Sequence, residues 1–434
     1  MVAQARREVP GGPDGGAGPG RIRGNWGSRS FDLSGVSARA KTPAVTAIRS
    51  SVLTVLLTTA MALSMLPLFL LGALGPRMVG EFGLATGQLG LLVAAGFGVA
   101  AVLSPVVGPM VAALGARRCL IGTFALSALA LALFAAAPGY EGLVAAIAVS
   151  GLGQALANPA TNQLIATRVP AAVRGAVAGW KQSGVQVGAF LAGLPLAAIA
   201  GAVNWRAAVA TAAAIAALAV AAALTVAKDP QPPRLPPLVV ARPHGDAGWM
   251  CGYSVLLGTG ISAINTYIAL YAAKQLGASP GAASALVAVL GIAGIAGRVV
   301  WARWSSRLPT PAILLGPLAF GAAVAALGIL AGTWWSGWVW LGALGIGCCA
   351  VSANAVSMMT VIATAAPEHV GRDSAVVSAG FFAGFVIGPP VFGALVDASD
   401  GRYGAAWTLV SGAFLAAAAV AWWWRARTLQ TRAR

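Results

Sequence analysis

Residues 154–186 read QALANPATNQLIATRVPAAVRGAVAGWKQSGVQ, an apolar segment, a short basic connection and a second apolar segment. In the first segment Gln154, Asn158 and Asn162 recur every fourth residue, so a helix there would carry all three on one face. In the second, Lys181 and Gln182 stand well inside the apolar run, with Gln186 one turn beyond Gln182. A related arrangement returns in residues 352–384, SANAVSMMTVIATAAPEHVGRDSAVVSAGFFAG. There Asn354 takes the place of Asn158 and Pro367 that of Pro170, while Ser378 stands where the first copy has Lys181. The chain therefore reads as two related halves, of which only one carries a charge in the middle of that helix.

Composition sets the class. The 434 residues are 58% hydrophobic and only 9% charged, where a soluble domain carries about 25% charged residues. Apolar runs near the length a bilayer core demands fall at 50–75, 86–107, 118–136, 141–165, 173–200, 206–227, 248–275, 281–302, 310–331, 336–364, 373–397 and 404–424. No water in the hydrocarbon core can satisfy backbone groups, so such runs are expected to be helices. The expected fold class is an all-α membrane protein of twelve transmembrane helices in two six-helix bundles, 50–227 and 248–425. The 56 glycines suit helices that pack by close backbone approach, with Gly291, Gly294 and Gly297 forming one such row.

Between and around the bundles the composition changes. Residues 1–49 are rich in Gly, Pro and Arg and show no apolar periodicity, so a disordered N-terminal tail is expected. That stretch is no signal peptide, because the first apolar run begins only near residue 50. The Pro-rich 228–247 is expected to be an extended connector dividing the helices six and six, and residues 426–434 form a tail.

Charge gives the orientation. With both termini on the cytoplasmic side, 23 of the 28 Lys and Arg residues fall on that side. Arg77, Arg206, Lys274 and Arg402 face the other, and Lys181 is left over. Both termini are therefore expected to be cytoplasmic in a multi-pass protein of the cell (plasma) membrane. The net charge of +17 follows from the same rule and not from nucleic-acid binding. Trp334, Trp335, Trp338 and Trp340 are expected to flank the outer interface, and Trp422 to Trp424 the inner one.

Chemistry of bond-making kinds is hard to place in this chain. Cys119, Cys251, Cys348 and Cys349 lie in or at the edges of apolar runs without metal-ligand spacing, and both histidines, His244 and His369, sit in connections. The acidic residues lie in the tail, in loops or at segment ends. No nucleophile–base pair, metal cluster or paired carboxylates emerge, so neither an enzyme nor a cofactor is expected. The expected partners are the lipid bilayer and a small-molecule substrate, and the chain is expected to act as a monomer.

Three stretches resemble the major facilitator superfamily of secondary transporters. The family usually carries a Gly-x-x-x-Asp-Arg-x-Gly-Arg-Arg-type loop after its second helix. Here Gly115, Arg117 and Arg118 match it, but Ala112 stands in place of the Asp. The counterpart after the eighth helix is GRVVWARWSSR, Gly297 to Arg307, with Ser306 in the acidic position. GFVIGPPVFGALVD, ending at Asp397, is similar to the family's eleventh helix. The resemblance covers roughly residues 50 to 425. It implies halves related by a pseudo-two-fold axis along the membrane normal, rocking about a substrate site near the midplane. It also implies that the acidic latch at the cytoplasmic face is missing from both halves.

For such a site the candidates are the polar residues expected at that depth. They are Gln154, Asn158, Asn162, Gln182 and Gln186 in the first half, and Asn265, Tyr267, Tyr271 and Asn354 in the second. Each is equally the kind of residue that bonds helix to helix. Lys181 stands apart. An ammonium that deep costs roughly 2.5–3.5 kcal/mol on insertion scales, unless its stem snorkels to the headgroups. Gly184 and Gly188 bare its side of the helix, to admit either a ligand or a neighbouring helix. With no intramembrane carboxylate to neutralise it, a small organic or inorganic anion is the expected substrate. The alternatives are efflux of a drug-like or metabolic product, and a receptor or sensor without transport. Many drug/proton antiporters of the superfamily have a Gly-Pro-x-x-Gly-Gly-type element in the fifth helix. This fifth helix reads GVQVGAFLAGLPLAAI, with the nearest Gly-Pro element in the eleventh. No carboxylate or histidine lies in the interior, so facilitated diffusion or anion exchange is expected, with proton coupling through Glu141 or Asp397 as the lesser option.

Overall fold

The structure, a computed structural model, describes residues 43–227, 245–305, 307–365 and 370–433. Of the disordered tail expected over 1–49, residues 43–49 are helical; the rest of it, most of the connector, both histidines and Pro367 lie outside the described residues. Among the described residues there is no strand, and twelve helices are long and apolar enough to span a membrane. They are α1 Ser51–Phe82, α2 Thr86–Leu114, α3 Ala116–Ala136, α4 Tyr140–Arg168, α5 Arg174–Ala202 and α6 Trp205–Leu224. After the connection come α7 Gly245–Gln275, α8 Pro280–Ser305, α9 Pro311–Thr333, α10 Gly337–Thr364, α11 Asp373–Ala398 and α12 Gly404–Gln430.

Two helices outrun the apolar pattern. α1 continues about two turns past its apolar run, taking Arg77 and Glu81 into the helix, and α2 runs on to Leu114. Each contains two prolines, Pro67 and Pro76 in α1, Pro105 and Pro109 in α2. Such prolines are tolerated in membrane helices because neighbouring helices and Ser or Thr hydroxyls take up the freed backbone groups. Beside Pro105, the Ser104 hydroxyl donates to the Ala100 carbonyl at 2.7 Å. α5 is interrupted at Leu194, immediately before Pro195, which has no N–H to continue the ladder. α10 contains a wide π-turn at Gly347–Val351.

An even number of spans leaves the first and last helices with their outer ends on one face, here called the terminal side; the opposite face is the far side. In lipid no hydrophobic force drives helix against helix, so close packing of small residues does the work. The two halves meet in that way along three seams. α1 crosses α7 where a Cβ on Gly72 would sit on the Asn265 carbonyl oxygen. α2 lies against α11, where one on Gly90 would overlap the Pro389 carbonyl. α5 lies against α8, with Gly291 beneath the Gln186 carbonyl.

Polar contacts tie the far ends of the seams. The Asp397 carboxylate, at the end of α11, accepts from the backbone N–H groups of Thr86 at 3.0 Å and Gly87 at 2.7 Å. An acid from one half thereby caps the N-terminus of a helix in the other, where the helix dipole favours negative charge. Ser284 at the start of α8 donates to the Ala73 carbonyl of α1 at 2.7 Å. These contacts lie in the far half of the membrane. They join the two halves on the far side.

On the terminal side the arginine loop after α2 has found another use. With Ala112 where an acid would be, Arg117 donates to the Val226 carbonyl at 2.6 Å and the Leu224 carbonyl at 2.8 Å. Arg168 donates to the Ala227 carbonyl at 2.7 Å. The two arginines thereby satisfy carbonyls left without intrahelical partners at the end of α6. Arg117→Ala is expected to lower stability by about 2 kcal/mol, as for loss of a charged hydrogen bond, with transport retained. Thermal unfolding of the detergent-solubilised protein checks it, and an unchanged midpoint would count against the capping role.

Tryptophans mark both interfaces. Trp334, Trp335 and Trp338 are exposed on the far side, as are Trp422 and Trp423 on the terminal side. Trp424 departs from the expected belt: it is buried, and its indole N–H donates to Asp246 Oδ1 at 2.7 Å.

Candidate functional site

Lys181 lies on α5, 3% exposed, and its ammonium points into the first half and away from the headgroups. Its Nζ donates to Asn158 Oδ1 at 2.8 Å and to Asn162 Oδ1 at 2.9 Å. The two asparagines are one turn apart on α4, so a single lysine reaches both. An ammonium has three N–H donors, and among the described residues these two amides are its only hydrogen-bond partners. Asn158 is partly buried and Asn162, one turn nearer the terminal side, is exposed.

The bare face beside the lysine is taken by a helix. A Cβ on Gly188 would come within 2.8 Å of the Ala62 carbonyl oxygen, and one on Gly184 would overlap that of Thr58. α1 therefore fills the groove that the two glycines leave, and no ligand enters there. The glycines serve the site indirectly, by letting α5 sit close enough to α1 and α4 for the ammonium to meet the asparagines.

No carboxylate neutralises Lys181 among the described residues. Glu81 pairs with Arg206 at the far end of α1 and also accepts from the Trp205 indole. Glu141 is exposed at the start of α4, and Asp397 is held in the α2–α11 seam. Nor does any group of His, Cys, Asp and Glu suited to a metal ion occur there. Among the described residues, the ammonium's hydrogen-bond partners are neutral amides.

Other candidates divide between the site and the packing around it. Gln154, buried one turn from Asn158, donates through Nε2 to the Met65 sulfur of α1, a helix–helix contact. Gln186 is 6% exposed and its side chain lies on Gly294 of α8, with Oε1 left without a hydrogen-bond partner. Gln182 is partly buried, and its backbone carbonyl accepts from Arg298 Nη1 at 2.8 Å. In the second half Asn354 is partly buried on α10, and its Oδ1 also lacks a partner. Asn265 is buried where α7 crosses beneath Gly72.

Tyr267 and Tyr271 share a helical face, but that face is turned into the packing. The Tyr267 hydroxyl lies 2.9 Å from the Thr86 carbonyl and 3.0 Å from that of Pro389, and its ring stacks on Phe392 at 4.5 Å. Tyr271 donates to the Leu330 carbonyl of α9 at 3.2 Å and packs among Tyr403 and Trp407. Both side chains are fully buried. Their hydroxyls are committed to backbone carbonyls on neighbouring helices.

Arg298 is the residue that sequence reading passed over. By its place in the sequence it falls with the terminal-side charges, yet it stands on α8 about 10 Å short of the helix end. It is partly buried, and its Nε has no hydrogen-bond partner. The signal was present: Arg298 follows Gly294 by four residues inside the apolar run and so lies on the same face as that row. Lys181 and Arg298 thus approach one level of the bundle from opposite halves, the arginine holding the carbonyl of the residue that follows the lysine.

The sequence profile of the Major Facilitator Superfamily matches residues 55–352 and again 250–434. Among solved structures, a D-xylose-proton symporter superposes with a TM-score of 0.72 at 19% identity, covering 86% of this chain and 97% of its own. A bacterial homolog to the human lysosomal transporter Spinster, in an inward-facing and occupied conformation, superposes with a TM-score of 0.65 at 18% identity. That alignment covers 87% of this chain and 97% of the homolog. At such identities the likeness is one of fold. No curated protein matches the chain in sequence.

Proposed function

Because this chain belongs to the Major Facilitator Superfamily, whose members are transporters rather than enzymes, we propose that it moves a small anion across the membrane by alternating access. One observation carries the reading: a buried ammonium, Lys181, is held by two asparagine amides and meets no carboxylate among the described residues. Burial of an unneutralised charge is costly, and an anionic substrate in the cavity offsets that cost when it binds. The neutral amides leave the lysine its charge, where a resident carboxylate would cancel it.

In this reading both termini are cytoplasmic, the membrane is the plasma membrane, and the chain works as a monomer. The far-side seams then form the outer gate, and the site faces the cytoplasm. The two bundles rock about the site, with 228–247 as a passive tether. The driving force is the gradient of the anion or of an exchanged anion, since Asp397 is occupied in a seam and Glu141 is remote from Lys181 along α4.

Proteoliposome uptake competed by carboxylates and inorganic oxyanions, in parallel with lipophilic cations, tests the proposal. Competition by anions alone, unaffected by a protonophore at fixed membrane potential, is the expected result. Competition by lipophilic cations alone would replace anion transport with efflux of drug-like compounds. Tight binding without any accumulation would point to a sensor.

A further inference from the structure

Building on the anion reading, we propose that Arg298 is a second cationic contact for the substrate, and that the substrate is a small dianion bridging Lys181 and Arg298. The two cations come from opposite halves, Lys181 from α5 and Arg298 from α8, and neither has a carboxylate partner among the described residues. They are anchored at adjacent positions along α5, because the Arg298 guanidinium rests on the carbonyl of Gln182, the residue after Lys181. One negative charge would neutralise only one of them. Two charges on one small molecule neutralise both.

The surroundings of Arg298 support a ligand there. A guanidinium carries five N–H donors, and here one reaches a neutral carbonyl while the buried Nε reaches nothing. Exchanging a neutral acceptor for a carboxylate or oxyanion roughly doubles the strength of the bond. Gln186, one turn from Gln182 on the helix facing Arg298, is nine-tenths buried with its Oε1 unpartnered. An amide can turn either its oxygen or its NH₂ towards a ligand. The second half has Ser378 at the place corresponding to Lys181, so its cation comes from α8 instead.

The geometry gives binding a mechanical consequence. A molecule held by one cation from each half draws the halves together on the terminal side, where Asn162 is exposed. A monoanion on Lys181 alone exerts no such pull.

Binding to the purified full chain in lipid nanodiscs, measured by calorimetry, separates these cases. The probes are acetate, succinate and sulfate, and the variants are Arg298→Gln and, to keep the charge, Arg298→Lys. Wild-type protein is expected to bind succinate or sulfate more tightly than acetate. Arg298→Gln should weaken dianion binding about tenfold or more, the scale of one charged hydrogen bond, while acetate binding stays within a factor of about two. Arg298→Lys should recover part of the dianion affinity. Succinate and sulfate together distinguish a dicarboxylate from an inorganic oxyanion. Equal effects of Arg298→Gln on acetate and dianions, or no effect on either, would overturn the bridge and leave anion transport standing. Absence of binding by all three probes to wild-type protein would overturn the bridge and the anion reading together.

Discussion

Lys181→Ala is expected to abolish anion transport while the protein still inserts and folds. The wild-type ammonium donates to Asn158 and Asn162 in a site with no acid nearby, so truncation removes the positive charge from the first half. Charged hydrogen bonds are worth about 1.5–3 kcal/mol each, which predicts a loss of affinity on the order of 10- to 100-fold for one direct contact. The effect on stability should have the opposite sign. Insertion scales put a lysine at a helix centre at roughly 2.5–3.5 kcal/mol, and alanine removes that cost while leaving two amides that reach water on the terminal side. Unfolding temperature should therefore hold or rise as transport falls. A lysine that merely pinned α5 to α4 would lose both together. Lys181→Arg should retain binding with slower turnover, because the planar guanidinium is larger and cannot reproduce the compact geometry on the two asparagines. Wild-type rate and affinity in a normally inserted Lys181→Ala protein would remove the main support for an anionic substrate.

Gly72→Val is expected to stop turnover at a distance from the site. At the α1–α7 seam there is no room for a side chain, since even a Cβ at Gly72 would overlap the Asn265 carbonyl oxygen. The clash is with backbone, which cannot swing aside as a flexible side chain would. Overpacking of this kind costs about 1–3 kcal/mol, and it bears only on the state in which the far side is closed. Each 1.4 kcal/mol is a tenfold shift in population, so the closed state should fall by roughly 10- to 100-fold and transport with it. Val93, buried on α2 one turn beyond Gly90, reports the opening. A cysteine placed there, in a chain cleared of its own four, should react with a membrane-impermeant thiol reagent from the far side in the Gly72→Val protein and stay protected without it. Loss of transport with the cysteine still protected would show that the seam closes regardless of Gly72.

Much of the fold was legible because lipid leaves the chain few choices. Every backbone group must be satisfied within the membrane, so the positions of the apolar runs gave the number of helices and, for most, their ends. The end of α1 was not legible, because Arg77 and Glu81 stand between two apolar runs and read as a loop. Glu81 is instead in the helix and pairs with Arg206, a partner more than a hundred residues away that no local pattern signals. The asparagine row was legible for a related reason. A spacing of four fixes a shared face on one helix, and Asn158 and Asn162 needed only that to act together on Lys181.

What lies across from that face was left to the tertiary structure. Periodicity gives the azimuth of a residue on its own helix but not which helix stands opposite, and that choice is made by close packing between segments distant in sequence. Tyr267 and Tyr271 share a face just as the asparagines do, yet theirs turns into helix packing, Tyr267 at the seam with α2 and α11 and Tyr271 against α9, where backbone carbonyls take up both hydroxyls. Gly184 and Gly188 could have admitted a ligand or a helix, and α1 fills the space. Arg298 had the composition of a terminal-side charge until α8 packed on α5 and set its guanidinium on the Gln182 carbonyl. The sequence by itself determined twelve helices in two halves, one cation inside an apolar run and a row of amides on one face of the helix before it. The meeting of the halves set the Arg298 guanidinium on the Gln182 carbonyl, because only the approach of glycine-lined helices decides which arginine of one half reaches the backbone of the other.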